Sequence, residues 1–209
     1  MTKEDFNELY HPGIFRYDII NMLIQRYGFT KYLEIGVEYG TNFDKINIAN
    51  KESVDIVDLG KTTHCMSSND FFNNTQPDTK WDIIFIDGMH QYEQCYLDIV
   101  NASRHLEDNG FIVCHDMNPA SKETASHNMV TENWWNGDVY KSFIKFRQDY
   151  LDFSSCLLYD CDMGLGIIHK GIGQNIMCDV DKLTFDEWTN NKHQLMNCVS
   201  VLDFIKIFC

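Results

Sequence analysis

Residues 81–90 read WDIIFIDGMH and residues 111–116 read FIVCHD, and these two stretches decide the fold. Each starts as a short apolar run of strand length and ends on ionisable side chains. Residues 92–106, between them, carry apolar side chains at helical spacing. A strand, a helix and a strand at these intervals predict a right-handed crossover in a parallel sheet. Because open α/β sheets bind ligands at the carboxyl ends of their strands, the ionisable residues that follow both strands mark a candidate site.

Further predicted elements extend this unit in both directions along the chain. Upstream, the pattern predicts helices over residues 17–27 and 41–49 and strands over residues 31–37, 53–58 and 64–67. Downstream, it predicts a helix over residues 139–150, strands over residues 153–159 and 164–169, and helical structure from residue 183 to 209. A short link joins the two downstream strands, which is typical of antiparallel neighbours. The sequence therefore predicts an α/β fold with a mostly parallel sheet.

The composition narrows the class of protein. With 209 residues and 44% hydrophobic content, the chain can bury one core, so we expect residues 1–171 and a helical extension over residues 172–209 to form one domain. A formal net charge of −14 disfavours nucleic acid and anionic membranes as partners. No apolar run has the length of a membrane span, and residues 1–10 lack the apolar core of a signal peptide. We therefore expect a cytoplasmic protein, and the sequence does not indicate its oligomeric state.

The eight cysteines follow no CxxC pattern. This usage favours free thiols in a reducing compartment over a disulfide framework. Cys156 and Cys161 leave a zinc site open as an alternative, although no second pair of ligands matches them.

A glycine turn follows the first predicted strand. Residues 32–40 read YLEIGVEYG, so the strand ends at Glu34, and Gly36 and Gly40 allow a ligand to approach the backbone closely. Glu38 occupies the place where a dinucleotide-binding turn has its second glycine. An acid there disfavours a diphosphate and favours a cationic or zwitterionic ligand. Asp58, about twenty residues after the turn, is placed to bind the two hydroxyls of a ribose, and a solvated loop acid is the alternative.

The chain resembles class I S-adenosylmethionine-dependent methyltransferases, in particular the small O-methyltransferase-like branch that modifies sugars and natural products. The stretches that carry the resemblance are YLEIGVEYG, VDIVD, SSNDFF, WDIIFIDGMHQYEQ, LEDNGFIVCHDMNP, WNGDVYKSF and MGLGIIHKG, which fall within residues 16–171. The resemblance implies a Rossmann-like, seven-stranded, mostly parallel sheet with an antiparallel last strand and helices on both faces.

The resemblance also implies where the cofactor S-adenosylmethionine lies. Its methionine part is expected at Glu34, Gly36 and Gly40, with Asp87 beside the sulfonium. Its ribose is expected at Asp58. Its adenine is expected at Ser68 or Asn69, near the start of a short helix that one of these two residues caps.

In metal-dependent relatives, an acid in the place of Asp87 binds a divalent ion together with residues that follow the fifth strand. The resemblance therefore implies a site at Asp87, His115 and Asp116, with Asn118 as a further oxygen donor. Asp87, Asp116 and Asn118 would suit magnesium, whereas His115 favours manganese or a later transition metal. Met89 and Met117 depart from the pattern of these relatives. A structural role of Asp87 and Asp116, in which they cap helices or bind backbone N–H groups, therefore stays open.

His90 lies three residues after Asp87, at the position where catechol-type relatives have a catalytic lysine. An imidazole accepts a proton from a hydroxyl near neutral pH, so His90 is the candidate general base, with Asp87 as its catalytic partner. An exposed histidine at a helix start is the alternative. For His115, a buried and hydrogen-bonded structural role is the alternative to metal binding.

Residues 118–137 form a long predicted loop, and such loops commonly cover binding sites. Trp134 and Trp135 near its end could stack on a sugar or an aromatic acceptor, or pack against the sheet edge. The resemblance places His11, Pro12 and Arg16 at another wall of the pocket.

These residues together predict an S-adenosylmethionine-dependent methyltransferase that acts on a hydroxyl of a small molecule, for instance a sugar, with help from magnesium or manganese. One alternative is a nucleotide-cofactor oxidoreductase, against which Glu38 argues. The other is a non-catalytic protein that binds the cofactor or a metal without turnover.

Overall fold

The computed structural model describes residues 13–130 and 134–209, and a single mixed sheet organises them. Its strands are β1 Lys31–Ile35, β2 Asn50–Asp55, β3 His64–Cys65, β4 Trp81–Ile86, β5 Leu106–Cys114, β6 Phe153–Leu158, β7 Leu165–Lys170 and β8 Cys198–Val199. They lie in the order β3-β2-β1-β4-β5-β7-β6-β8. The first five strands pair in parallel, and β7 runs antiparallel to both β5 and β6.

Helices cover both faces of this sheet. On one face lie α1 Arg16–Tyr27 and α6 Val201–Phe208, and on the other lie α2 Ser68–Asn74, α3 Tyr92–Arg104, α4 Tyr140–Asp149 and α5 Phe185–Met196. Alternate residues of the central strands contribute to the two cores, as the pleat of a strand requires. The predicted Rossmann-like architecture with an antiparallel last strand is confirmed. The sheet has eight strands instead of seven, because the two-residue strand β8 pairs in parallel with β6.

The strand register determines which residues meet at the carboxyl edge. Ile35, the last residue of β1, lies opposite Val54 of β2 and Ile86 of β4, and Ile86 lies opposite Cys114 of β5. The segments that follow these strands therefore leave the sheet along one edge. This arrangement brings together the glycine turn and the segments that begin at Asp87 and His115.

Two predicted elements are wrong in extent. Residues 41–49 form no helix beyond the 3-10 turn Phe43–Lys45, in part because Asn42 is buried and directs its side chain to Glu34. Strand β2 ends at Asp55 and not at Asp58, because the Asp55 carboxylate accepts a hydrogen bond from the Val57 N–H (3.1 Å) and turns the chain out of the sheet.

The C-terminal segment is less regular than predicted. Asn197 adopts a left-handed conformation (φ 51°) that ends α5, and β8 separates this helix from α6.

The predicted cap of α2 is wrong by one residue. Ser67 caps this helix instead of Ser68 or Asn69, since the Ser67 Oγ accepts the Asp70 N–H at 3.0 Å. None of the helices in the described ranges combines the length and the apolar character needed to cross a membrane. The assignment of residues 172–209 to the same domain stays a prediction.

Candidate active site

The glycine turn after β1 packs directly against the end of β4. Gly36 has a φ of 84°, and a Cβ at this position would lie 2.1 Å from the carbonyl oxygen of Asp87. Gly40 also has a positive φ, of 77°, and lies against the side chain of Lys61. Only glycine combines this backbone conformation with so close an approach. The predicted importance of Gly36 and Gly40 thus has a structural cause, whereas their contact with a cofactor stays a prediction.

Glu34 is a buried acid beneath this turn, with 1% of its surface exposed. Its Oε2 accepts hydrogen bonds from Tyr32 Oη (2.5 Å) and Asn42 Nδ2 (2.9 Å). Burial raises the pKa of Glu34 to about 7, although the two hydrogen bonds oppose that shift. A cationic group bound nearby would favour the ionised form, which fits the predicted place of the methionine amino group.

The acid at the end of β2 is Asp55. Its Oδ2 accepts the backbone N–H of Glu38 in the glycine turn at 2.9 Å, so it lies beside that turn. Asp58, the residue predicted to end the strand, lies in the exposed loop beyond it and accepts the Gly60 N–H at 2.8 Å. The predicted location of Asp58 is therefore wrong, and whether it or Asp55 binds ribose is untested.

Ser68 and Asn69 belong to a polar network that joins α2 to α3. Gln94 Nε2 donates to Ser68 Oγ (3.2 Å), to Asn69 Oδ1 (3.3 Å) and to Asp98 Oδ1 (2.9 Å). Asp98 is 1% exposed, and burial raises its pKa to about 6 against the hydrogen bonds from Ser68 and Gln94. The expected adenine contact of Ser68 or Asn69 stays a prediction, to which the structure adds Gln94 as a neighbour.

Four ionisable side chains converge where β4 and β5 end. Asp87 Oδ1 lies 3.3 Å from His90 Nε2 and 3.3 Å from His115 Nδ1. Asp116 Oδ2 lies 3.4 Å from His90 Nε2 and 3.2 Å from His115 Nδ1. One ligand atom each from Asp87, His90 and Asp116 falls within 4.8 Å of the other two, a geometry that could hold a metal ion. The structure thus brings together Asp87, His90, His115 and Asp116. The side chain of Asn118 instead donates to Tyr159 O (2.7 Å) and accepts from Lys192 Nζ (2.8 Å).

His90 has a defined orientation in this cluster. Its Nδ1 lies 2.8 Å from the carbonyl oxygen of Trp135, and because a carbonyl only accepts, Nδ1 carries a proton. Nε2 is then the atom that faces Asp87 and Asp116. Burial lowers the pKa of His90, but the hydrogen bond with Asp87 and the charges of Asp116 and Asp87 outweigh it and raise the pKa to about 9.

His115 carries a polar atom that lacks a partner. Its side chain is 8% exposed, and within the described ranges its buried Nδ1 has no aligned hydrogen-bond partner, although it faces Asp87 and Asp116. Burial lowers the pKa of His115, but the two carboxylates raise it well above its ordinary value. Two carboxylate oxygens and an unpartnered imidazole nitrogen directed at one gap form a donor set that suits a divalent cation.

Two further residues of this site could not be selected from the sequence. Asp162, in the turn between β6 and β7, lies 3.6 Å from His115 Nε2 and accepts a hydrogen bond from Arg16 Nη1 at 3.0 Å. Asn136, in the long loop, donates to Asp116 Oδ1 at 2.7 Å. The Asn-Gly pair at residues 136–137 signals a turn, but it does not indicate a contact with Asp116.

The described end of the long loop, residues 134–137, packs against the cluster. Gly137 has a φ of 71°, and a Cβ there would lie 1.7 Å from the His90 carbonyl oxygen. The Trp135 indole packs beside the His90 ring, with centroids 5.4 Å apart, and its Nε1 donates to Ser126 O at 2.7 Å. Trp134 is 51% exposed and has a φ of 58°. His11 and Pro12, predicted to form another wall, lie outside the described residues.

Comparisons with known proteins agree with this fold. The family model described as "Methyltransferase domain" matches residues 39–117. An SAH-bound methyltransferase from Podospora anserina has a similar structure (TM-score 0.55, 16% identity), over 75% of this chain and 78% of that one. A putative O-methyltransferase from Klebsiella pneumoniae is also similar (TM-score 0.56, 13% identity, 80% and 87% covered). So is a putative caffeoyl-CoA O-methyltransferase from Staphylococcus aureus (TM-score 0.53, 17% identity, 80% and 88% covered).

The chain has the class I methyltransferase fold. This confirms the resemblance noted in the sequence as far as the fold is concerned, and the family match covers the stretch from the glycine turn to the segment after β5. Together, the fold and the family match support S-adenosylmethionine-dependent methyl transfer as the activity. No curated protein sequence matches the chain significantly. The roles of the individual site residues stay predictions.

Proposed function

We propose that this methyltransferase-fold protein transfers the methyl group of S-adenosylmethionine to a hydroxyl group of a small molecule. The observation that carries the proposal is the cluster of Asp87, His90, His115 and Asp116, which lies at the carboxyl edge of the sheet directly beside the Gly36 turn. The edge thus offers a proton-accepting group beside the glycine turn at which we expect the cofactor. An acceptor with an apolar ring face, such as a sugar, would suit the exposed indole of Trp134.

In the proposed reaction, the acceptor oxygen attacks the methyl carbon as the bond from that carbon to sulfur breaks. The sulfur keeps the electron pair, so S-adenosylhomocysteine leaves, and His90 Nε2 takes the proton of the hydroxyl. Since the sulfonium is already activated, the protein contributes mainly alignment and proton removal. The hydrogen bond from His90 Nδ1 to Trp135 O keeps Nε2 directed at the site.

Asp87, Asp116 and the unpartnered Nδ1 of His115 are the groups that would hold a divalent cation. A bound cation would lower the pKa of a hydroxyl that coordinates it and would orient that oxygen. Because the positive charge of the cation would offset the charges of Asp87 and Asp116, these carboxylates would stabilise the protonated form of His90 less. Its Nε2 would then be available as a base. The imidazole in this donor set favours manganese over magnesium.

The cofactor part of the proposal is tested by thermal unfolding with S-adenosylhomocysteine. At about one hundred times its Kd, a ligand stabilises the folded state by about 2.7 kcal/mol, which corresponds to a shift of roughly 5–10 °C for a chain of this size. We expect this shift, and none with NADH. Asp55→Asn is expected to weaken binding of S-adenosylhomocysteine roughly 10- to 100-fold, since the hydrogen bonds that the ribose hydroxyls would donate to a charged carboxylate are lost.

Asp58→Asn is the matched control, because it changes a carboxylate in the same segment that lies beyond the strand end. It should alter the Kd for S-adenosylhomocysteine less than about threefold, because substitutions at the surface typically have small effects. The opposite result, in which Asp58→Asn binds S-adenosylhomocysteine weakly and Asp55→Asn binds it as the wild type does, would assign ribose binding to Asp58. A shift with NADH alone would favour the oxidoreductase alternative.

The metal part is tested by removing divalent cations. A chelator is expected to abolish methyl transfer but to leave the stabilisation by S-adenosylhomocysteine intact, and manganese should restore activity. Asp116→Asn should weaken Mn²⁺ binding, measured by calorimetry, by at least about tenfold. Asp186→Asn, a change at an exposed acid, should leave it unaltered. Full activity in chelator would exclude the metal but not the methyl transfer.

A further inference from the structure

Asn136 lies in a segment of the long loop that is fixed against the sheet edge. The backbone N–H groups of Asn136 and Gly137 both donate to Thr124 O at 3.0 Å. On the other side, Trp135 O lies 2.8 Å from His90 Nδ1, and Gly137 leaves no space for a Cβ beside the His90 carbonyl oxygen. Asn136 itself is 0% exposed, so its side chain has a defined place inside the protein.

Asp116 determines the orientation of the Asn136 amide. Asn136 Nδ2 donates to Asp116 Oδ1 at 2.7 Å, whereas Asn136 Oδ1 is buried and has no hydrogen-bond partner in the part of the chain that the structure describes. A buried polar atom without a partner costs about 1–3 kcal/mol. An ionised carboxylate only accepts hydrogen bonds, so the reverse orientation of the amide would place two oxygens against each other. The amide therefore donates to Asp116 even though its own oxygen is left without a partner.

The backbone around Asp116 is fixed, so its side-chain torsions are the freedom that remains. The His115 N–H donates to Ile86 O and the Met117 N–H donates to Gly164 O, both at 3.0 Å. Asp116 itself has a φ of 63°, a conformation that residues with a Cβ rarely adopt. Rotation of the side chain would still change which carboxylate oxygen faces the cluster, unless a further contact selects one.

The hydrogen bond from Asn136 supplies this contact. It engages Asp116 Oδ1, and Oδ2 then lies 3.4 Å from His90 Nε2 and 3.2 Å from His115 Nδ1. We propose that Asn136 is a positioning residue that holds the Asp116 carboxylate with Oδ2 directed at the divalent cation. This inference rests on the metal site of the proposed function. Carboxylates that bind a metal are themselves held by hydrogen bonds from outer partners, and such partners contribute to the affinity for the metal.

The inference is tested in the full chain with Asn136→Ala and Asn136→Leu, using Mn²⁺ as the probe. Both exchanges remove the donor, but leucine keeps the branched shape of asparagine and so continues to fill the site. Each variant should bind Mn²⁺ about 10- to 100-fold more weakly in calorimetry, as is typical for the loss of such a partner. S-adenosylhomocysteine should still raise the Tm of both variants as it does that of the wild type, which would show that they are folded.

Asn128→Ala is the matched control, because it removes an exposed amide from the same loop. Its affinity for Mn²⁺ should equal that of the wild type. Unchanged affinity in folded Asn136→Ala and Asn136→Leu would overturn the inference while the metal site stands. Weak binding by Asn136→Ala together with wild-type affinity in Asn136→Leu would assign the effect to packing and would overturn it as well.

A second measurement uses the wild type and the diamagnetic ion Mg²⁺. A cation at Asp116 Oδ2 changes the charge that the Asn136 amide meets at Oδ1, so the ¹⁵N and ¹H resonances of this side-chain amide should shift on saturation with Mg²⁺. Those of the Asn128 amide should not. An Asn136 amide that does not respond would overturn the inference even if neither variant folded. A wild type that binds neither Mn²⁺ nor Mg²⁺ would remove the metal site and the inference together.

Discussion

Exchange of His90 for glutamine is expected to lower kcat for methyl transfer by about 10²- to 10⁴-fold, the range that general-base catalysis contributes. Glutamine keeps a hydrogen-bonding side chain of similar length but cannot take up a proton at neutral pH. The KM for S-adenosylmethionine should change little, because His90 faces the carboxylates of Asp87 and Asp116. The rates would be measured with labelled S-adenosylmethionine and a hydroxyl acceptor found by screening small molecules.

His169→Gln is a suitable control for this exchange. His169 lies near the end of β7 opposite Phe111, so it is paired with residues well before the carboxyl end of β5. The kcat of the His169→Gln variant should equal that of the wild type. An unchanged kcat in His90→Gln would remove His90 as the base. A tenfold loss of Mn²⁺ affinity in the same variant would make His90 a metal ligand instead, as its distance to the two acids also permits.

The pH dependence separates these two roles further. A base works in its deprotonated form, so kcat should rise with pH and reach half of its plateau no higher than about pH 9, the value to which Asp87 and Asp116 raise the pKa of His90 against its burial. A bound cation would move this ascending limb of the pH profile, the range over which kcat rises, to lower pH. In His90→Gln, the same limb should be absent from the profile of the residual activity.

The central strands can be predicted from sequence because each is a short, nearly continuous apolar run, as is typical of strands buried on both faces. The end of β2 cannot be predicted in this way. Ile56 and Val57 continue the apolar pattern after Asp55, yet they are 74% and 51% exposed. β-branched side chains predict a strand whether or not the ladder continues, and the pattern therefore moves the strand end to Asp58.

The same distinction applies to the site. Asp87, His90, His115 and Asp116 can be predicted because they immediately follow strands whose carboxyl ends meet at one edge. Asp162 cannot, since it enters the site through a turn whose left-handed backbone leaves no trace in the residue types. Its partner Arg16 is 146 residues away in sequence, and only the folded chain brings the two together.

The largest expected loss of stability follows from Trp188→Ala in α5. Trp188 is 1% exposed, and its ring lies 4.6 Å from that of Tyr140 in α4 and 5.4 Å from that of Phe185. Removal of a buried tryptophan side chain typically lowers the free energy of unfolding by about 3–5 kcal/mol. We expect a decrease of this size in urea denaturation, in a single transition.

Asn190→Ala, an exposed position on the same helix, provides the control and should change the free energy of unfolding by less than about 0.5 kcal/mol. The comparison tests whether residues 172–209 belong to the same domain. If they do, Trp188→Ala shifts the unfolding of the whole sheet, because Trp188 shares its core with strands β1, β4 and β5. Two separate transitions, with only the first shifted by Trp188→Ala, would show instead that the extension unfolds on its own.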